Sequence, residues 1–249
     1  MMYWRQPAAQ RTMKSYLALS EAVRAELNPT DSRVHRWSAE VSARRKNVNA
    51  EEGMFVSLTA AGVADEVFTC TLVDHPETSK ELSSAPTAQP NERQVVVLRK
   101  EREVMEGTTR VKEYLARCKT HTVAHRSKVD GVGWWCGDYA VRIGRVENAQ
   151  GTYAGLVCEV EYAPVRDVNV ADALLAEYAE AIGECLRRAA GAYTGAGALV
   201  HVNTGECVGA YGLGNVAFGD AHAAVAYVST VMTMQSGGCL LYTSDAADE

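Results

Sequence analysis

Apolar and polar residues alternate along several stretches of this chain, and in others they recur every three or four positions. The clearest alternation lies between Gly133 and Pro164. Tyr139, Val141 and Ile143 share one face of an extended run, with Arg142 on the other. That period of two marks a half-buried strand. It returns in Leu156, Cys158, Val160 and Tyr162, set against Val157, Glu159 and Glu161. Between the runs, Glu147 to Gly155 is rich in Asn, Gln, Gly and Thr and reads as a hairpin loop longer than two residues. Pro164, with no N–H to give, ends the ladder. The expectation is an antiparallel hairpin with one wet, charged face.

Elsewhere the pattern predicts strands first and long helices later. Met2-Tyr3-Trp4-Arg5 predicts a short strand. Met13, Tyr16, Leu17, Ser20, Val23 and Leu27 form the apolar stripe of a helix over Arg11 to Leu27, closed by Asn28-Pro29. Trp37, Ala39, Val41 and Ala43 alternate with Ser38, Glu40, Ser42 and Arg44 in a half-exposed strand, and Met54 to Thr59 and Glu66 to Val73 predict two more. Asp74 to Asn91 holds Pro76, Pro86 and Pro90 among serines and threonines and reads as a surface loop. Val95 to Leu98 predicts a strand buried on both faces. Val104, Met105, Thr108, Val111, Leu115 and Cys118 recur at helical spacing, although Gly107 favours a start beyond it. His121 to Val129 predicts the strand that feeds the hairpin.

After Pro164, the stripe Ala173, Leu174, Tyr178, Ala181, Ile182, Cys185, Leu186 and Ala189 predicts a helix over Asn169 to Ala190, with Asn169 as N-cap and Gly191 as stop. A glycine-rich loop follows to Gly205. Asp220 is placed to cap a last helix with Ala221, Val225, Val228 and Met232 on one face.

The hairpin carries a family pattern. Trp135, Asp138-Tyr139, Val141-Arg142-Ile143-Gly144 and Val146, then Gly155, Glu159-Val160-Glu161-Tyr162 and Pro164, resemble the middle of the Mediator complex subunit 20 family. Tyr211-Gly212-Leu213 followed by His222 and Ala224-Val225-Ala226-Tyr227 resembles that family's C-terminal pattern. The early part, with its aromatic-containing strand, helix and strand beginning near Trp37, is similar to plant-type members. The resemblance implies an α+β fold: a largely antiparallel sheet, curved toward a barrel, with flanking helices, of the TATA-binding-protein-like kind in Mediator subunits 18 and 20. It implies one domain over 1–238, with 74–91 as a variable insertion. It also implies a nuclear, non-catalytic subunit of the Mediator head module, a coactivator of RNA polymerase II transcription. Its partners would be Mediator subunit 18 and the C-terminal segment of Mediator subunit 8, and through them RNA polymerase II.

Composition narrows the alternatives. A hydrophobic content of 47% against 22% charged supports a sizeable core. A net charge of -6 argues against a general nucleic-acid surface, which needs a basic footprint. Arg44-Arg45-Lys46 is too short a run to change that and reads as a solvated strand end. No apolar run reaches the ~20 residues of a membrane span, the start lacks the apolar core of a signal peptide, and a reducing compartment is the expectation. Cys239 to Glu249 resembles a translated sequencing-library adapter, so the natural chain is expected to differ beyond about Gly238.

Five constellations invite chemistry, and each has a structural reading that fits better. Cys136 beside Asp138 has the look of a thiol turn, but no histidine is close in sequence. His121 and His125 share a face on a strand, yet a third metal ligand is missing. Glu159 and Glu161 suggest paired carboxylates, but the solvated or partner-facing strand face is preferred. Gly209, Gly212, Gly214 and Gly219 match no phosphate-loop spacing. Trp134 and Trp135 face opposite sides of a strand, one into the core and one toward solvent or a partner. The seven cysteines contain no C-x-x-C pair. No catalytic residue, cofactor or metal ligand is therefore assigned. The rival readings are a thiol enzyme using Cys136 and a DNA-binding relative of the TATA-binding protein.

Overall fold

A computed structural model describes residues 1–5, 12–30, 34–47, 66–75, 91–193, 198–201 and 208–235. The elements, in chain order, begin with β1 (Met2–Arg5), α1 (Met13–Leu27), β2 (His35–Lys46), β3 (Glu66–Asp74), β4 (Asn91–Leu98) and β5 (Glu103–Gly107). They continue with α2 (Val111–Cys118), β6 (His121–Cys136), β7 (Tyr139–Asn148), β8 (Tyr153–Tyr162), α3 (Val168–Tyr193), β9 (Ala198–His201) and α4 (Asp220–Gln235). The predicted strand at 54–59, residues 76–90 of the insertion expected over 74–91, and the tail from Cys239 lie outside the described residues; Asp74 and Asn91 at the ends of that insertion belong to β3 and β4.

The class is mixed α+β. The strands form one sheet in the order β5-β4-β3-β2-β6-β7-β8-β1-β9, every neighbouring pair antiparallel. Among the described residues β5 and β9 each have one neighbour, so the sheet is open and the expected barrel does not close. The first strand lands far from its sequence neighbours, between β8 and β9.

Alternation sorts side chains to two faces, and each face has its own core. Trp37, Val41, Phe68, Cys70, Val95, Val97, Val129, Val146 and Val157 face α4, which contributes Val225, Tyr227, Val228 and Val231. On the opposite face Trp4, Trp134, Val141, Ile143, Leu156 and Cys158 pack under α1 and α3 through Tyr16, Leu19, Val23, Ile182, Cys185 and Leu186. Further along that face Val67, Val96 and Leu98 pack on Leu115 of α2. Val95 to Leu98 is therefore buried on both sides, as its wholly apolar run predicts. Each such side chain contributes about 1.5–3 kcal/mol by leaving water.

The helix ends follow local chemistry, with some departures from expectation. Thr12 caps α1: its Oγ1 accepts from the Ser15 N–H at 3.2 Å and its own N–H donates to Ser15 Oγ. Leu19 takes a core position in place of Leu17, which is exposed along with Met13. The predicted helix over Val104 to Cys118 is two elements: β5 through Gly107, then α2 from Val111. Strand pairing with β4 outweighs helical periodicity here. Asn169 lies inside α3 rather than capping it, and the helix runs past Gly191 to Tyr193. Ala181 is exposed, while Tyr178, Ile182, Cys185, Leu186 and Ala189 pack as expected. No helix among the described residues is long and apolar enough to cross a membrane.

Candidate functional site

The predicted hairpin is β7 and β8, with Arg142 opposite Glu159 in register. Its strands run further than the sequence suggested, to Asn148 and from Tyr153, leaving only 149–152 as turn. Asn148 closes this turn with its side chain, Oδ1 accepting from the Gln150 and Thr152 N–H groups at 3.0 and 2.9 Å.

The expected wet face is wet only in part, at Glu161 and Arg142. α4 lies over it, so Val157 is buried and only 8% of Glu159 is exposed. A buried carboxylate needs charge and hydrogen-bond partners, and Glu159 has both. Arg142 Nη1 donates to Glu159 Oε1 at 2.9 Å and to Glu161 Oε2 at 3.1 Å. Tyr227 of α4 donates its hydroxyl to Glu159 Oε2 at 2.6 Å. Glu159 and Glu161 are thus bound to one guanidinium rather than poised as an acid–base pair. Glu159, then Glu161, raises the Arg142 pKa, holding it charged despite burial.

A second cluster faces this one. Arg93 of β4 reaches Asp74 of β3 at 2.7 Å and Asp220 at the start of α4 at 3.3 Å. Asp220 is the first helical residue and not the cap; Gly219 precedes it, and its N–H donates to His222 Nδ1 at 3.2 Å. Trp37 lies between the clusters, its ring 5.8 Å from that of Tyr227. It covers Gly144, where a Cβ would stand 2.9 Å from Trp37 Cζ2 and 2.6 Å from Val129 Cγ1. Both clusters, with Trp37 and Tyr227, border a cleft of about 340 Å³ beside the first turns of α4. The sequence carried the hairpin's half of this site. Arg93 and Asp74 left no legible signal, since an isolated Arg or Asp reads as surface.

The other candidates resolve into structure. Cys136 ends β6, and Gly137 (φ 62°) with Asp138 turns the chain into β7. Thr30 pins this turn, donating through N and Oγ1 to the Trp135 carbonyl, both at 3.0 Å. Burial raises the Cys136 thiol pKa, and the Tyr178 hydrogen bond offsets only part of that, which is the opposite of what a nucleophile needs. His125 lies roughly 35 Å away along the same strand. His121 and His125 do not share a face. The register slips between Ala43 and Arg44, so one extra residue of β6 turns His125 to the other side. Among the described residues no group of three His, Cys, Asp or Glu is placed to hold a metal. Arg44 is buried rather than solvated, its pKa lowered by desolvation and then by Arg126. Trp134 is buried and Trp135 is 36% exposed, as their adjacency requires.

No protein-family model matches this chain, and no curated protein matches it. Solved structures do resemble it. The PH1819 protein from Pyrococcus horikoshii OT3 is 10% identical with a TM-score of 0.39, covering 74% of this chain and 88% of that one. A chain of the Schizosaccharomyces pombe Mediator head module is 12% identical with a TM-score of 0.27, covering 58% of this chain and 66% of that one. A candidate adenylate cyclase from Vibrio parahaemolyticus is 9% identical with a TM-score of 0.33, covering 76% and 87%.

Buried acids on the two faces of the sheet set an alkaline limit on stability. Burial, then Glu159, holds the Tyr227 hydroxyl well above its usual ionisation range, and burial pushes the Cys158 thiol up to about 12. In the unfolded chain these groups lose their protons near about 10 and 8.5. Above those values the folded state binds more protons than the unfolded one. Stability is therefore complete below about pH 8 and declines as pH rises toward the folded values. Urea midpoints from pH 7 to 11 should fall on the alkaline side, and less steeply in Tyr227→Phe. A flat profile would contradict the burial of these groups.

Proposed function

We propose that this chain is a non-catalytic, nuclear subunit of the Mediator head module, of the subunit 20 kind, and works by presenting surfaces to Mediator subunits 18 and 8. One observation carries the reading. The three stretches in which the sequence resembles that family meet at one place. Tyr227, from the C-terminal pattern, holds Glu159 of the hairpin pattern. Trp37, from the early strand, packs on Tyr227 and on Gly144 of the hairpin. His222 Nε2 lies 3.0 Å from the Leu213 carbonyl, joining the two halves of the C-terminal pattern. Residues that define the resemblance therefore act together as one internal brace, the use expected of a scaffold whose side chains hold shape rather than perform chemistry.

The test is co-expression of the chain with Mediator subunits 18 and 8 from the same source, followed by size-exclusion chromatography. The expected result is one co-eluting complex of all three. A folded, monodisperse monomer that ignores both partners would overturn the reading and bring forward the thiol and DNA-binding alternatives. Cys136→Ala would then be assayed for loss of activity without unfolding, and the intact chain for salt-sensitive DNA affinity.

A further inference from the structure

The structure assigns the open strip of β2 and β6 between α1 and α2 as a docking surface for an acidic segment of a partner protein. This rests on the scaffold reading and specifies the chemistry of one contact. Helices cover this face of the sheet on both sides of the strip. α1 and α3 pack over Trp4, Ile143 and Leu156, and Leu115 of α2 packs on Val67, Val96 and Leu98. Between them, half of the Arg126 and Lys128 side chains meets solvent, 52% in each case. The strand order β3-β2-β6-β7 makes the strip three strand spacings wide, about 14 Å. That width seats one helix with its side chains, about 10–12 Å across, or one extended segment.

Register sets the floor of the strip. Lys128 stands opposite Glu40, Arg126 opposite Ser42 and Asp130 opposite Ser38. Lys112 of α2 reaches Glu40 Oε1 at 2.9 Å, and Arg126 Nε lies 3.9 Å from the same oxygen. Arg44 is recessed at one end. Desolvation, then Arg126, lowers its pKa against the pull of Glu40. Lys128 holds Asp130 at 2.8 Å. Arg44, Lys112, Arg126 and Lys128 therefore share two carboxylates, Glu40 and Asp130, which leaves a local charge of +2 in a chain of net charge -6. Arg145 and Glu147 beside them are paired with each other at 2.9 Å and leave that balance unchanged. The strip is positive where the chain as a whole is negative, so it favours acidic groups. A carboxylate laid there also relieves the crowding of Arg126 and Arg44.

Apolar contacts select a protein segment over a phosphate backbone. Val123 stands opposite Arg44 on this face and is 42% exposed. Met13 of α1 borders the other side, its Sδ 4.0 Å from Arg145 Nη1, and is 40% exposed. Apolar side chains on an acidic segment can cover both, and a row of phosphates covers neither. A nucleic acid longer than the strip also meets the acidic remainder of the chain, which repels it.

The test uses the intact chain and fluorescence anisotropy with a fluorescein-labelled Gly-Ser-Glu-Asp-Leu-Glu-Asp-Leu-Ser-Gly peptide, a counterpart with Lys and Arg in place of its acidic residues, and single-stranded DNA as competitor. The acidic peptide should bind at least about tenfold more tightly than the basic one. Arg126→Gln and Lys128→Gln should each weaken it about five- to tenfold. Both side chains are half exposed, so the melting temperature should stay within a few degrees. Arg187→Gln, which removes an exposed arginine of α3 bound to Glu180 and Glu184, should leave binding unchanged. Equal binding of the two peptides, strip variants that bind as the wild type does, or an equal loss in Arg187→Gln would each overturn the proposal. DNA that displaces the peptide better than unlabelled peptide does would overturn it too, and give the strip to nucleic acid. The partner experiment separates the two readings. Co-elution with subunits 18 and 8 without peptide binding removes this inference alone, and peptide binding without co-elution removes the Mediator reading alone.

Discussion

Arg142→Leu is expected to lower the stability of this protein by about 3 kcal/mol, the lower end of the cost of breaking a buried ion pair from one side. Leucine keeps the apolar part of the side chain, so the loss is one of charge. Glu159 would remain under α4 with the Tyr227 hydroxyl as its neighbour and without the guanidinium that offsets its charge. The lower end applies because 27% of the Arg142 side chain still meets solvent. Arg142→Lys should cost about 1 kcal/mol, since an ammonium keeps the charge but is more strongly hydrated than the guanidinium whose Nη1 meets both carboxylates. Arg142→Leu with Glu159→Leu should recover most of the loss, because a buried pair replaced whole by apolar residues is often neutral or better. Urea denaturation of the three variants decides the matter. A single variant within about 0.5 kcal/mol of the wild type, the usual range for an inert surface change, would mean that Glu159 is not buried as described.

The same residues show how far the sequence could be read. Alternation alone places Val141 and Ile143 opposite Arg142, and Leu156 and Cys158 opposite Glu159; both assignments match the two cores. It could not reveal what covers the charged face. A charged strand face reads as wet unless another element lies on it, and the α4 residue that covers Glu159 lies 68 residues further on. Its Tyr227 makes Glu159 a buried group instead of a solvated one. Short strands without alternation were equally hidden. β9 has only four residues and sits in a glycine-rich segment that reads as loop, and β5 was absorbed into the helical spacing that continues into α2. The bulge in β6 shows the limit from another side. One extra residue opposite Ala43 and Arg44 overrides the rule that an even spacing keeps two histidines on one face.

Gly131→Ala is the second large effect, and it tests the sheet rather than the cluster. Gly131 of β6 and Gly144 of β7 are directly opposite each other. A Cβ on Gly131 would lie 2.3 Å from the Ile143 carbonyl oxygen and 2.7 Å from the Gly144 Cα. These are backbone atoms of the paired strand, so relief requires the ladder itself to move. On Gly144 the same atom would meet side chains, Val129 Cγ1 at 2.6 Å and Trp37 Cζ2 at 2.9 Å. On Gly133 it would meet the flexible Arg142 Cγ at 3.0 Å and the Val141 carbonyl at 3.2 Å. The expected order of destabilisation by alanine is therefore Gly131 at about 3 kcal/mol, Gly144 at about 2 and Gly133 at about 1, within the range for overpacking a tight site. Compensation distinguishes the causes. Val129→Ala beside Gly144→Ala removes the nearer obstacle and should recover part of the loss, whereas no side-chain truncation should rescue Gly131→Ala. If Gly131→Ala proved as stable as the wild type, β6 and β7 could not approach as closely at this point as the described pairing requires. The positions of Arg142 and Trp37 across the cleft would then have to be redrawn.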